Sequence, residues 1–436
     1  MHLSVSLPSR LVRIWDQVRA ALETVRPPTS LPARSKAEAD LITLCEMLLA
    51  RRDENAGIKL VSEILDRYAA APDDERASFL NALGDRFGPD EERLQTAIAA
   101  YQASPDDVAY RDLQAAVEPR RQRLIRLLNF APSGTYKLVQ MRADAIRLKN
   151  KLPKFAALDS DFAHILRSWF NRGFLELRQV DWHSPAQVLA KIIQYEAVHD
   201  IKDWSDLQGR IDPTDRRCFA FFHPHMPDEP LIFIEVALTT EIPATIESVL
   251  TAKRKVLRAE DARIAVFYSI SNCNIGLRGI PFGNFLIKQV VEVLRGELPA
   301  LDTFVTLSPV PGFAAWLART PEKPVELENP RWQETAAVET LKPKLSAAVA
   351  RYLLDAKEEA GLPLDPVGRF HLGNGAGLNR INWLGDVSAR GLKQAHGFMV
   401  NYLYDLKSIE ANQEAIAVKG TIDAAPAVRE LAKRGK

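Results

Sequence analysis

Ile264-Ala265-Val266-Phe267-Tyr268-Ser269-Ile270, followed closely by Gly276-Leu277-Arg278-Gly279-Ile280-Pro281-Phe282-Gly283-Asn284, is the stretch on which the fold turns. The first segment is dense in β-branched and aromatic residues and predicts a strand. The second is a glycine-rich turn, and from Phe285 onward the apolar spacing predicts a helix. Strand, glycine loop and helix N-terminus together make an anion site, because free backbone N–H groups and the positive end of the helix dipole face the ligand. Arg278 adds charge to that turn. The loop has neither the Gly-Lys-Ser/Thr of a P-loop nor the Gly-x-Gly-x-x-Gly of a dinucleotide site.

Outward from this point the chain is mixed. Arg217–Phe222 and Pro230–Leu238 read as strands joined by the turn-rich His223-Pro224-His225-Met226-Pro227-Asp228-Glu229, and Phe304–Leu307 reads as a fourth strand. Helices are expected at 184–196, 244–257, 284–296, 344–360 and 389–406. This order suggests an α/β layer with a largely antiparallel sheet. Residues before about 170 read instead as one helix after another, at 57–70, 77–87, 90–103, 121–130 and 135–150. Ser35 and Glu38 have capping-box spacing ahead of the apolar face Leu41, Leu44, Cys45, Leu48 and Leu49. Ser104-Pro105-Asp106-Asp107 predicts a further helix start. The fold class is therefore α+β, a helical bundle over 1–170 and an α/β domain over 171–436, with frayed ends at 1–8 and 420–436.

The 436 residues carry 57 basic and 56 acidic side chains, a net charge of +1, which gives no global drive toward nucleic acid. Three scattered cysteines make no disulfide framework and no zinc pattern and suit a reducing compartment. No apolar run reaches the roughly 20 residues needed to span a bilayer. Met1–Pro8 lacks a secretory signal, and the last residues are not a peroxisomal signal, so a cytoplasmic location is expected.

Two words carry acid–base chemistry. Phe370-His371-Leu372-Gly373-Asn374-Gly375-Ala376 puts an imidazole beside a glycine-rich turn, and Leu307-Ser308-Pro309-Val310-Pro311-Gly312-Phe313 puts a hydroxyl in a proline-stiffened loop. The bland reading of His371 is a ring satisfying a backbone carbonyl, and that of Ser308 a turn-capping hydroxyl. A Gly-x-Ser-x-Gly elbow is absent, which argues against a hydrolase serine. His223 and His225 alternate as ligands could, but no third ligand has a recognisable spacing, so no metal is expected. Arg380, Asn382, Trp383 and Asn401-Tyr402-Leu403-Tyr404 read as core and helix.

Taken together, these words resemble the malonyl-CoA decarboxylase family. The likeness rests on Ser269-Ile270-Ser271, Gly276–Gly279, Gly283–Lys288, Leu307–Phe313 and Phe370–Ala376. It extends to Arg380–Trp383, Asp386–Ser388, Asn401-Tyr402, Trp182–Pro185 and Glu196–His199, and covers roughly residues 165–405. The resemblance implies a helical oligomerisation domain, giving a dimer or tetramer, and a catalytic domain with the acyl-CoA N-acetyltransferase-like (GNAT-like) fold. The implied reaction converts malonyl-CoA to acetyl-CoA and CO2 without metal or organic cofactor. Ser308 and His371 would be the catalytic pair, with Ser269, Tyr404 and Asn374 in support. The loop Arg278, Gly279, Ile280, Pro281, Phe282, Gly283 and Asn284 would bind coenzyme A.

This chain departs from the family at one position. Pro281 stands where some members carry a glutamate that orients the histidine, so Asp386 or backbone would have to take over. An imidazole protonated near neutral pH is expected to serve as donor. An acyl-CoA-dependent N-acyltransferase and a non-catalytic acyl-CoA-binding regulator are the alternatives, since one fold serves many functions. Scavenging malonate and limiting malonyl-CoA are both compatible roles.

Overall fold

The computed structural model describes residues 40–51, 57–280, 286–321, 323–329, 331–359 and 361–434. The chain forms two compact units, one ending at Ala131 and one spanning Pro132–Lys436.

The first unit is helical: α1 Leu41–Ala50, α2 Ile58–Ala70, α3 Asp73–Arg86, α4 Glu91–Ala103, α5 Asp107–Val117 and α6 Arg120–Leu128. Leu44, Cys45 and Leu48 of α1 are buried, as are Leu60 and Ile64 of α2, Leu80 and Leu83 of α3, and Leu124 and Leu128 of α6. Asp40 caps α1 by accepting from the Thr43 N–H at 2.7 Å; the capping box expected from Ser35 and Glu38 lies outside the described residues. Helix α5 starts two residues later than Ser104 suggested. Asp106 accepts from the N–H groups of Val108 and Ala109, while Ser104 closes α4. An aspartate can take both orphan donors at once, so it wins the cap. Helices α4 and α5 bury only Ala97 and Ala116, and Val108, Tyr110 and Val117 of α5 lie exposed.

The second unit begins with α7 Gly134–Arg147 and α8 Phe155–Trp169, then β1 Glu176–Gln179, α9 Ala186–Tyr195, α10 Trp204–Ile211, β2 Arg216–Phe222 and β3 Ile232–Thr239. It continues with α11 Ile246–Leu250, β4 Ile264–Asn272, α12 Leu286–Glu297, β5 Thr303–Thr306, β6 Ser308–Pro309, α13 Phe313–Leu317 and α14 Ala337–Asp355. Last come α15 Pro366–Gly373, β7 Gly377–Asn382, α16 Ala389–Ala395, β8 Met399–Leu403, α17 Ile409–Lys419 and α18 Pro426–Lys433. The sheet order is β1-β2-β3-β4-β5-β8-β6, with β7 paired to β8. It is mixed: β4 and β5 run parallel, and the other pairs are antiparallel.

The four strands expected from sequence are present. Four further strands, β1, β6, β7 and β8, were not anticipated, and 389–406 is not one helix. Gly397, at φ +83°, ends α16, and Phe398 onward becomes β8, the strand that receives β5, β6 and β7. The expected helix 244–257 is only the five residues of α11, and 420–436, read as frayed, holds α18, which packs against α14.

What positions the site is the parting of β4 and β5. Their parallel register runs from Ile264↔Thr303 to Phe267↔Thr306. Beyond it β4 stays with β3 through Asn272, whereas the other strand turns at Leu307 so that Ser308 pairs with Val400 of β8. The gap is a cleft walled by two strand ends.

Candidate active site

A cavity of about 720 Å³ fills this gap, lined by Phe267–Ile270 of β4, Gly279 of the glycine loop, Ser308, and Phe370 and His371 of α15. Such a volume suits a small-molecule ligand. Helix α15 starts with a capping aspartate and a proline in its first turn, the preorganised way to begin a helix. Asp365 accepts from Gly368 N at 2.8 Å, and its other oxygen takes Gly312 N at 3.4 Å and the Tyr352 hydroxyl at 3.3 Å. One buried carboxylate thereby ties the helix bearing His371 to the loop following Ser308.

The expected pair is brought together: Ser308 Oγ and His371 Nε2 lie 3.1 Å apart, with Ser308 5% and His371 4% exposed. His371 Nδ1 lies 2.9 Å from the Tyr404 hydroxyl, and Ser308 Oγ donates to Thr306 Oγ1 at 2.9 Å. One assignment satisfies every partner: Tyr404 O–H donates to Nδ1, Nε2–H donates to Ser308, and Ser308 donates to Thr306. Tyr402 stacks on the imidazole, centroids 4.8 Å apart at 26°. Thr306, which sequence reading did not single out, is fully buried and also accepts from Tyr402 N at 3.1 Å. Its threonine in a strand gave no signal apart from lying two residues before Ser308.

Two expectations need correction. Complete burial without a facing carboxylate pushes the imidazole down to about 3, so His371 is neutral before substrate enters, not protonated. The ring is also not oriented by Asp386, which accepts from Ser388 N at 2.9 Å; Tyr404 holds it. A phenol whose own ionisation is pushed well up by burial is a durable neutral partner.

The other sequence candidates divide. Ser269 lines the cavity and donates to both oxygens of Glu196 at 2.8 Å. Asn374 caps α15 and donates to Phe370 O at 2.8 Å; it is buried but is not among the cavity residues. Gly279 reaches the cavity at φ +77°, a conformation that favours glycine, while Arg278 is exposed and Ile280 is core. Pro281, Phe282, Gly283 and Asn284 lie outside the described residues.

The loop's base is fixed from α7. Arg142, 3% exposed, donates to Gly276 O at 2.7 Å and Arg278 O at 3.0 Å, and its Nε donates to Asp159 at 2.8 Å. Gly276 must be glycine, because a Cβ there would stand 2.0 Å from Val139 O. Arg380, Asn382 and Asn401 are not plain core. The Asn401 Oδ1 accepts from Arg380 at 3.0 Å and Asn382 at 2.8 Å, and its Nδ2 donates to Thr306 O at 2.8 Å, bracing β8 against β5.

His223 and His225 do not converge as ligands. His223 Nε2 is 3.2 Å from Trp169 O, and its Nδ1 accepts from His225 N. Among the described residues no group of three His, Cys, Asp or Glu is arranged to hold a metal ion, and no helix is long and apolar enough to cross a membrane.

A serine–imidazole pair, braced by a phenol, thus lies in a buried cleft beside a glycine loop. Residues 87–170 match the malonyl-CoA decarboxylase N-terminal domain, and residues 173–436 match the malonyl-CoA decarboxylase C-terminal domain. Malonyl-CoA decarboxylase of Rhodopseudomonas palustris, a solved structure, is 52% identical with a TM-score of 0.86, covering 89% of this chain and 98% of its own. That of Agrobacterium vitis is 51% identical with a TM-score of 0.87, covering 90% and 100%. The mitochondrial malonyl-CoA decarboxylase of the goose Anser anser anser is 36% identical over 386 residues, 78% of this chain and 76% of its own. The chain belongs to the malonyl-CoA decarboxylase family and is by that membership a decarboxylase.

Proposed function

We propose that this chain converts malonyl-CoA to acetyl-CoA and CO2 with its own side chains, without metal or organic cofactor, and that Ser308 and His371 are the pair that does so. The observation that carries the reading is the 3.1 Å contact between Ser308 Oγ and His371 Nε2 in the wall of the cavity. The coenzyme A portion is assigned to the loop Arg278–Asn284, supported by Gly279 at the cavity and by Arg142 beneath the loop. The parting of β4 and β5 is consistent with an acyl-CoA N-acetyltransferase-like frame that admits an extended thioester arm between two strands.

Heterolysis of the bond between the α-carbon and the carboxylate releases CO2 and leaves an enolate with charge on the thioester oxygen. One proton must then reach the α-carbon. A neutral buried imidazole has no such proton to spare, but a malonyl carboxylate entering the cleft is an opposite charge that favours the imidazolium. Substrate and proton would therefore enter together. When CO2 leaves, the negative charge passes to the enolate, Ser308 gives its proton to carbon, and His371 Nε2 replaces it. His371 is left neutral, now as the Nδ1–H tautomer that donates to Tyr404.

The family models part near residue 170, which supports a helical domain over 1–170 and a catalytic domain over 171–436, with α7 and α8 packed beside the catalytic sheet. Exposed Val108, Tyr110 and Val117 on α5 support assembly into a homo-oligomer through the helical domain. The direct test is CO2 and acetyl-CoA release from malonyl-CoA by wild type, Ser308→Ala and His371→Ala. Turnover by wild type, reduced by orders of magnitude in both folded variants, is expected. Turnover that survives in either variant would refute the pair.

A further inference from the structure

The β4 wall of the cavity has a fixed hydrogen-bond polarity. Ser269 is 2% exposed, and its single hydroxyl proton is shared between the two oxygens of Glu196, each at 2.8 Å. A carboxylate only accepts, so Ser269 has no proton left for the cavity. Ser271 is spent in the same way: it donates to Glu196 Oε2 at 3.1 Å and accepts from Ala197 N at 3.1 Å. Its oxygen is 3.4 Å from that of Ser269.

Glu196 is itself over-determined. It sits just past α9 and accepts, besides the two serines, the N–H groups of Val198 at 2.8 Å and His199 at 2.7 Å. The turn it closes brings Val198 into the cavity wall. Behind it, Glu235 is cross-strand partner of Ser269 and wholly buried. Burial and the negative charge of Glu196 push Glu235 up to about 8, while Arg210 at 3.3 Å pulls the other way. Nothing in this arrangement returns a proton to Ser269.

Toward the cavity, then, Ser269 offers lone pairs alone. The malonyl carboxylate, the thioester carbonyl and the phosphates of coenzyme A are all acceptors and cannot bond to that hydroxyl. The amide N–H groups of the pantetheine arm are donors and can. We propose that Glu196 is a positioning residue that makes Ser269 an obligate acceptor, so that Ser269 receives an amide N–H of the thioester arm and the malonyl carboxylate is turned away from β4 toward Ser308. This rests on the acyl-CoA reading above and adds to it the group that sets substrate polarity on the side opposite the catalytic pair.

The test compares malonyl-N-acetylcysteamine with its isostere in which an ester oxygen replaces the amide N–H, using wild type, Ser269→Ala, Ser269→Thr and Glu196→Gln. One neutral hydrogen bond is worth about 0.5–1.5 kcal/mol, so wild type should prefer the amide by roughly 2- to 13-fold in kcat/KM. Ser269→Ala should bring the preference close to one, and Ser269→Thr should restore it. In Glu196→Gln the amide nitrogen can donate to Ser269 and free the serine proton, so the preference should fall or reverse. If Glu196→Gln does not fold, the alanine and threonine variants decide. Equal losses on both thioesters, or a preference that survives in Ser269→Ala, would overturn the proposal while leaving decarboxylation intact. Failure of wild type to release CO2 from malonyl-CoA would overturn the underlying reading, and this proposal with it.

Discussion

Removing the Tyr404 hydroxyl is the sharpest perturbation of the site, because Tyr404→Phe changes one atom and leaves the ring where Phe267 meets it edge-on at 6.3 Å. The hydroxyl is 2.9 Å from His371 Nδ1, inside a site where His371 is 4% and Tyr404 3% exposed. Water cannot easily replace it there. Leaving a buried ring nitrogen without a partner costs about 1–3 kcal/mol, and the ring also loses the contact that specifies its tautomer. With about 1.4 kcal/mol per decade, the expected fall in kcat is roughly 5- to 150-fold, with KM for malonyl-CoA nearly unchanged. Steady-state CO2 release measures it, and thermal melting separates loss of activity from loss of fold. Tyr404→Phe within twofold of wild type, with unchanged stability, would refute Tyr404 as the residue that orients His371.

Two further outcomes follow from the same geometry. Arg142→Ala strips charge-assisted hydrogen bonds from Gly276 O, Arg278 O and Asp159. It should cost a few kcal/mol at about 1.5–3 per bond to a charged group and raise KM for malonyl-CoA more than it lowers kcat, whereas a lower kcat at unchanged KM would show that Arg142 does not hold the coenzyme A loop. Burial pushes the imidazole down to about 3, and the proposed mechanism requires a bound anion to raise it through neutral pH, so on that mechanism binding should take up close to one proton. Calorimetry at pH 7 in buffers of different ionisation heat should show this for sulfoacetyl-CoA, whose sulfonate cannot leave as CO2. Acetyl-CoA and the His371→Gln variant should show none, and equal uptake for both ligands would refute the linkage.

The sequence made the words of the candidate site legible because each combines a chemical group with a local backbone constraint. Gly276 and Gly279 announce a turn, His371 stands beside Gly373 and Gly375, and Ser308 precedes a proline. Strands β2 to β5 were legible because they are apolar runs bounded by turn residues. Strand β8 was not: Asn401-Tyr402-Leu403-Tyr404 also fits a helix, and what makes it a strand is its place between β5 and β7, which is tertiary. Thr306, Glu196 and Arg142 were missed for a related reason. Each acts on a partner far along the chain or across a strand, and a single side chain carries no mark of that partner in its neighbours.

On the proposed reading, the neutral imidazole and the acceptor hydroxyl of Ser269 answer one chemical problem from opposite sides. Decarboxylation is hindered wherever a cation already pairs with the carboxylate, because that pairing is lost as CO2 departs and the ground state is favoured over the transition state. Among the described cavity residues Arg369, held to Glu358, is the one permanently charged side chain; Ser308, His371, Tyr404 and Thr306 form a neutral chain. On the proposed mechanism a malonyl carboxylate turned toward Ser308 acquires its counter-charge by drawing a proton onto His371. That same proton is the one the α-carbon needs once CO2 has gone. On that mechanism the depressed basicity of His371 is no obstacle to a donor role: it would make the charge conditional on substrate and leave the imidazolium strongly acidic once the carboxylate that stabilised it is gone.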